Sequence, residues 1–167
     1  MEPSMIRNRM SDDECLELLD RNGVAVLSMC GPDGSPYAVP VNYVRIGDSI
    51  YYHGRMTGTR VTCMEHDPRC CLTVYEEVGF DDYGPGMCAT STAFGSVVVK
   101  GRASAVDEKD LKVEVLRRLT AKLVPSKGDA PMDPAIVART GVFRISMEEV
   151  TGKRRAPKPG STMHPAM

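Results

Sequence analysis

The sequence predicts a mainly β fold: a small antiparallel barrel of about six strands, with helices packed outside it. Three observations carry this reading. Short runs rich in β-branched and aromatic residues recur along the chain, punctuated by Gly, Pro, Asn and Asp. Helical spacing appears in only roughly three or four segments, without regular β-α-β alternation, which argues against a Rossmann sheet. No Gly-x-Gly-x-x-Gly follows a strand, no Gly-x-x-x-x-Gly-Lys-Ser/Thr occurs, and there is no internal repeat.

The chain of 167 residues is long enough for one domain with a real core. Its net charge of −1 gives no general attraction to nucleic acid or to an anionic membrane surface. No long apolar run and no signal-peptide pattern occurs, so a soluble cytoplasmic protein is expected. The domain is expected over residues 1–155, with 156–167 as a flexible C-terminal tail.

Met1–Met10 carries Arg7 and Arg9 but no pattern. Ser11 and Glu14 form a capping box for a helix that carries Leu16, Leu18 and Leu19 and stops at Asn22-Gly23. Val24–Met29 reads as a central strand, and Gly31-Pro32-Asp33-Gly34 as a turn. From Pro36 the chain alternates, with Tyr37, Val39, Val41 and Tyr43 on one face. Gly47-Asp48 turns it into Ile50-Tyr51-Tyr52-His53, completing a hairpin. Pro40 cannot donate to a ladder, so it implies an edge or a bulge beside Asn42.

A helix is expected after Gly54, with Thr57 as its N-cap and Gly58, Thr59 and Arg60 in its first turn. The free N–H groups of a helix start, the two threonine hydroxyls and the Arg60 guanidinium together suit a phosphate. An ordinary capped helix with a solvated Arg explains the same residues equally well. Val61 and Met64 face the core, and the helix ends near His66-Asp67-Pro68, with His66 solvated. Cys70–Tyr75 is a strand, Glu76–Gly95 a long Gly-rich loop, and Ser96–Val106 a further strand.

Asp107–Asp110 opens an amphipathic helix with Leu111, Val115, Leu119 and Leu123 in its stripe, widened by Leu116. Asp133-Pro134 starts a short helix that ends at Thr140-Gly141. Val142–Met147 is the last strand, with Phe143, Ile145 and Met147 on one face. The chain turns basic from Thr151, and Pro157–Met167 is expected to lack fixed structure.

No cysteine pair has Cys-x-x-Cys spacing, so no metal site is expected. Cys15, Cys63, Cys70 and Cys71 sit in apolar segments and read as core thiols; Cys88, in the Gly-rich stretch, is the one with potential reactivity.

The order of motifs then points to a family. A capped helix and a Val-rich strand lead to Pro-Tyr-x-Val-Pro-Val-Asn-Tyr at 36–43 and Ile-Tyr-Tyr-His-Gly at 50–54. Gly-x-Arg at 58–60 and Asp-Pro-Arg-Cys-Cys at 67–71 follow. Ser-Val-Val-Val-Lys-Gly-Arg-Ala at 96–103 and Val-Thr-Gly-Lys-Arg at 150–154 complete the series. Over Ser11–Arg155 this resembles the nitroimidazole-resistance branch of the pyridoxamine 5'-phosphate oxidase-like flavoproteins.

The resemblance implies a six-stranded split β-barrel and a homodimer with FMN at the subunit interface. Pro40, Val41, Asn42 and Tyr43 would lie along the isoalloxazine ring. His53 and Gly58-Thr59-Arg60 would approach the ribityl phosphate or the substrate side, and Ser96 and Val97 would complete the pocket. The chain departs from the pattern at Arg55, where relatives carry a small residue, and at Arg60, where they carry Lys. Gly95 stands where an Arg is frequent, and Met87–Phe94 lacks a Trp often found there.

The function expected is that of an FMN-dependent oxidoreductase reducing a small organic substrate such as a nitro compound. His53 is the one candidate proton donor, with a hydrogen-bonded histidine at the barrel rim as the plainer explanation. Two competitors stand beside this: a haem-handling barrel with His53 or His66 as axial ligand, and a flavin-binding module without turnover.

Overall fold

A computed structural model describes residues 8–166 of the chain. The first seven residues of the unpatterned N-terminal stretch, and Met167 of the tail, lie outside the described residues. The elements, in order, are α1 (Asp12–Arg21), β1 (Val24–Cys30), β2 (Pro36–Ile46), β3 (Ser49–Gly54), α2 (Thr59–His66) and β4 (Arg69–Asp82). There follow β5 (Thr90–Ala105), α3 (Lys109–Leu123), a 3-10 turn (Pro125–Lys127), α4 (Pro134–Arg139), β6 (Gly141–Arg155) and β7 (Thr162–His164).

Every strand pairing is antiparallel, in the order β1-β2-β3-β6-β5-β4-β7. A short pairing of Val26–Ser28 with Cys71–Thr73 joins β1 back to β4. Six strands thus close into a ring, and β7 adds an edge outside it. The predicted mainly β fold with flanking helices is the observed one.

The local signals explain most element ends. Ser11 Oγ accepts from the Glu14 N–H at 3.2 Å, and Glu14 Oε2 accepts from the Ser11 N–H at 2.8 Å. Asp133 caps α4 by accepting from the Ala135 N–H at 2.8 Å. Gly34 and Gly47 hold φ of 80° and 58° in their turns, a region that glycine enters without steric cost.

The barrel interior is filled from strands and helices together. Leu27, Ile50, Leu72, Val74, Val97, Val99 and Ile145 are fully buried there, with Leu18 and Leu19 of α1 closing one end. Fully burying such a side chain stabilises by about 1.5–3 kcal/mol. A second, smaller cluster joins Val115 and Leu119 of α3 to Val44, Tyr51 and Val142 on the outside of the sheet.

Four expectations need correction. Glu76–Gly95 is not a loop: β4 runs on to Asp82, β5 starts at Thr90, and the two pair from Glu76↔Gly95 to Asp82↔Thr90. Gly79 carries the register shift of this arm, with φ 149°. The last barrel strand does not stop at Met147, because β6 continues to Arg155 and lays its basic end against Phe94–Val98. The stretch after Pro157 is ordered where Thr162–His164 pairs with Phe80–Asp82. Finally, α2 starts after Gly58, not Thr57: Gly58 holds φ 110° and ψ 174°, and no side chain caps the helix.

The described chain has no helix long and apolar enough to cross a membrane.

Candidate functional site

β2 makes the first wall. Along Pro36–Asn42 it pairs only with β1, and β3 joins it from Tyr43 onward. Val26↔Pro40 stays in register, so Pro40 marks an edge and not a bulge. Pro40 and Asn42 are exposed on the outer face, while Val41 and Tyr43 turn into the core. Contacts of Val41 and Tyr43 with any ligand therefore run through their backbone.

Two further bonds fix this wall. Asn42 Nδ2 donates to the Gly23 carbonyl at 3.2 Å, and the Tyr43 hydroxyl donates to the Leu19 carbonyl at 2.6 Å. Lys122 Nζ lies 4.3 Å above the Tyr43 ring and donates to the same carbonyl at 3.2 Å. The end of α1 is in this way tied to β2 and α3.

The second wall is the end of β3 with the start of α2. Thr57, Gly58 and Thr59 are exposed. The Gly58 carbonyl accepts from the Val61 and Thr62 N–H groups at 2.9 and 3.1 Å. The N–H groups of the first helical residues are those a helix leaves without intrahelical partners.

Arg60 does not point straight into solvent. Its guanidinium carbon lies 5.1 Å from the centroids of both Tyr52 and Phe143, whose rings stack at 5.2 Å and 17°. It sits astride the ring pair. Nη2 reaches the Arg55 carbonyl at a long 3.5 Å, and Nε is buried without a hydrogen-bond partner among the described residues. Among the described residues no carboxylate pairs with Arg60.

A cation–π contact gives about 0.5–2 kcal/mol. A buried donor without an acceptor costs about 1–3 kcal/mol. The unpartnered donor thus gives back part of what the two ring contacts contribute, and an anionic oxygen accepting from the guanidinium would recover it. The orphaned donor beside a helix start fits a phosphate group.

Glycines make room for this arrangement. A Cβ on Gly54 would stand 2.1 Å from Arg60 Nη2. Gly54 pairs with Gly141, where a Cβ would meet the Gly54 carbonyl at 2.8 Å and Phe143 at 3.0 Å.

His53 lies on the other face. Tyr52 points into the barrel, so alternation turns His53 outward with Tyr51. His53 and the Arg60 ring seat do not converge on one point. His53 is exposed, yet partial desolvation of its ring, and then the positive charge of Arg60, push the imidazole below its usual value.

β5 supplies the remaining predicted residues. Val97 is fully buried and inward. Ser96 faces outward, its hydroxyl donating to the Lys153 carbonyl at 3.4 Å. It lines an open groove of about 620 Å³ with Arg9, Val98, Thr151 and Lys153.

Tyr52, Phe143, Gly54 and Gly141 were missed as parts of the site. Phe143 is distant in sequence and reads as an ordinary core aromatic. Gly54 and Gly141 carried the only available signal, as glycines at the ends of two strands.

Cys15, Cys63 and Cys70 are buried, and burial pushes the Cys70 thiol up to about 12. Cys71 is half-buried, and Cys30 and Cys88 are exposed. Among the described residues no group of three or more His, Cys, Asp or Glu could hold a metal ion.

The fold is a split barrel in which one side of β2 is open at Pro40 and an arginine without a carboxylate partner stands at the start of α2. Residues 11–154 match the pyridoxamine 5'-phosphate oxidase family, and the chain belongs to it. It is similar to the flavocytochrome Anf3 from Azotobacter vinelandii, with 26% identity and TM-score 0.80 over 94% of this chain and 73% of that one. It is also similar to an FAD-binding protein from Mesorhizobium loti, with 27% identity and TM-score 0.63 over 89% and 97% of the two chains. A protein from Bacteroides thetaiotaomicron ascribed to 5-nitroimidazole antibiotic resistance shares the fold, with 18% identity and TM-score 0.73 over 87% and 85%. No curated protein matches the sequence.

Proposed function

We propose that the chain is a cytoplasmic, homodimeric, FMN-dependent oxidoreductase of the nitroimidazole-reductase kind, which reduces a small organic nitro compound. The observation that carries the flavin reading is Arg60, a guanidinium with a buried, unpartnered Nε at the start of α2. Membership of the family and similarity to an FAD-binding protein and a flavocytochrome support it. One such arginine suits the single phosphate of FMN. Six free cysteines fit a reducing compartment.

The homodimer rests on the outer face of the sheet. Val24 and Val26 of β1 are 56% and 43% exposed, and Tyr75 of β4 is 53% exposed. Pro40 and Asn42 stand beside those valines in register. An apolar face of this kind is what a second copy would cover.

Bound FMN would supply the hydride chemistry. Arg60, the first-turn N–H groups of α2 and the hydroxyls of Thr57 and Thr59 hold the phosphate. The β2 edge from Pro40 to Asn42 offers backbone groups that no β3 residue uses, and these orient the ring system. The outer valines exclude water from it once a second subunit covers them. His53, neutral at neutral pH, offers one imidazole N–H as a donor to a substrate oxygen.

The visible spectrum of the purified protein tests this reading. A pair of flavin bands that bleaches on reduction and recovers on oxidation by a nitro substrate supports it. Flavin bands that bleach but do not respond to any nitro compound reduce the protein to a flavin-binding module. A Soret band without flavin bands favours the haem-binding reading, which similarity to a flavocytochrome keeps in view.

A further inference from the structure

Arg60 is a long, flexible side chain, and it can serve an anion only if it is kept in place. Arginine loses rotamer freedom when fixed, and a prearranged one loses less on binding. In this chain the guanidinium is already seated. Its carbon is equidistant, at 5.1 Å, from the Tyr52 and Phe143 rings. Those rings belong to adjacent strands, because Tyr52 is the register partner of Phe143. Both are fully buried, so neither ring can turn away.

The space for the guanidinium comes from the next cross-strand pair but one, Gly54↔Gly141. A methyl group on Gly54 would overlap Nη2 at 2.1 Å. A methyl group on Gly141 would press on the Gly54 carbonyl and on Phe143 itself. Two aromatic residues and two glycines on the same two strands therefore build one seat. Its occupant comes from a different element, α2, and keeps one buried N–H unused.

We infer that Tyr52, Phe143, Gly54 and Gly141 are positioning residues, which hold Arg60 for the phosphate of the flavin and so set the preference for phosphorylated over unphosphorylated flavin. This rests on the flavin reading above. The seat acts through Arg60 and does not itself touch the ligand. It also explains why arginine serves here: a planar guanidinium stacks on rings, and a lysine ammonium lacks that planar surface.

The test is a titration of the flavin-free full chain with FMN and, separately, with riboflavin, followed by fluorescence quenching. Riboflavin lacks only the phosphate, so the ratio of the two affinities isolates that group. Gly54→Ala and Phe143→Leu should each lower FMN affinity by on the order of tenfold and leave riboflavin affinity unchanged. Tyr52→Phe keeps the ring and should leave the ratio as it is. Phe143 is a core residue, so circular dichroism must first show each variant folded. Gly54→Ala, at a strand end, keeps the test alive if Phe143→Leu does not fold.

An unchanged ratio in Gly54→Ala, or an equal loss of both flavins, overturns the seat. A changed ratio in Tyr52→Phe also counts against it. If Arg60→Ala itself leaves the ratio unchanged, the phosphate reading fails first. If the wild-type chain binds neither flavin, the flavin reading falls and takes the seat with it.

Discussion

The backbone N–H of Lys158 donates to Oδ2 of Asp81 at 3.0 Å, and Asp81 is fully buried. Arg155 Nη2 lies 3.6 Å from the same oxygen. Beyond this point Lys158 Nζ sits 3.4 Å from the Tyr83 ring centroid, and β7 pairs with the end of β4. The nearby Ser161 hydroxyl, the hydrogen bond from the Lys158 N–H and the Arg155 guanidinium hold the Asp81 carboxyl below its usual value. Its folded pKa lies below the unfolded one, so the stabilisation is complete above the unfolded value of about pH 4 and is lost as pH falls through the folded value. Asp81→Asn should speed amide exchange across Thr162–His164 by on the order of tenfold at neutral pH, read by hydrogen exchange with mass spectrometry. Exchange at the wild-type rate would show that β7 is held without this carboxylate.

A second prediction concerns His53. His53→Ala should keep flavin content near wild type and lower turnover of a nitro substrate by ~10²-fold, if the imidazole acts in proton transfer. Its outward placement, opposite the Arg60 seat, is the reason flavin content should survive. Flavin loss in the variant would make His53 a cofactor contact. Full turnover with full flavin would leave it a rim histidine.

The same imidazole has a pH signature. Its folded pKa lies below the unfolded value of about 6.5, so it costs stability progressively as pH falls through that unfolded value. An NMR titration of the flavin-free protein should give a His53 midpoint below about 6.5. Adding FMN should move the midpoint up, because an anion at Arg60 removes one of the two causes of the depression. A midpoint that ignores FMN would separate His53 electrostatically from the anion site.

Tyr43→Phe removes the hydroxyl that donates to Leu19. Lys122 still donates to that carbonyl, so no acceptor is stranded. The expected loss is about 0.5–1.5 kcal/mol in denaturant unfolding, with unchanged slope. A loss above about 3 kcal/mol would mean that the bond supports more than the end of α1.

Val26→Glu places a charge on the exposed outer face beside Pro40. It should leave the monomer folded and, if a second copy covers this face, convert a dimer to a monomer in light scattering, with loss of bound flavin. A variant that stays dimeric and flavin-loaded moves the interface elsewhere.

Much of this was legible in the sequence. Pro40 announced an edge because a missing N–H is a property of the residue itself. Ser11 with Glu14, and Asp133 with Pro134, announced helix starts because their partners lie within a few residues. The arm from Glu76 to Gly95 was not legible. Its glycines and acids have low strand propensity, and cross-strand partners supply the pairing. The tail failed for a similar reason: Thr162–His164 needs the edge of β4, and close backbone approach at Gly79 admits it. Arg60 was found by its local setting, but its ring seat was not, because Phe143 comes from the far end of the chain.

That distance bears on how the molecule is made. β6 pairs with β3 on one side and with β5 on the other, and it is the last strand of the ring to leave the ribosome. Until then β3 has an open side, and Arg60 has only one of its two rings. A nascent chain ending before Gly141 cannot complete the seat, however well its first strands have paired. Under the proposed flavin reading, cofactor loading becomes a late event of biosynthesis, one that reports a finished barrel.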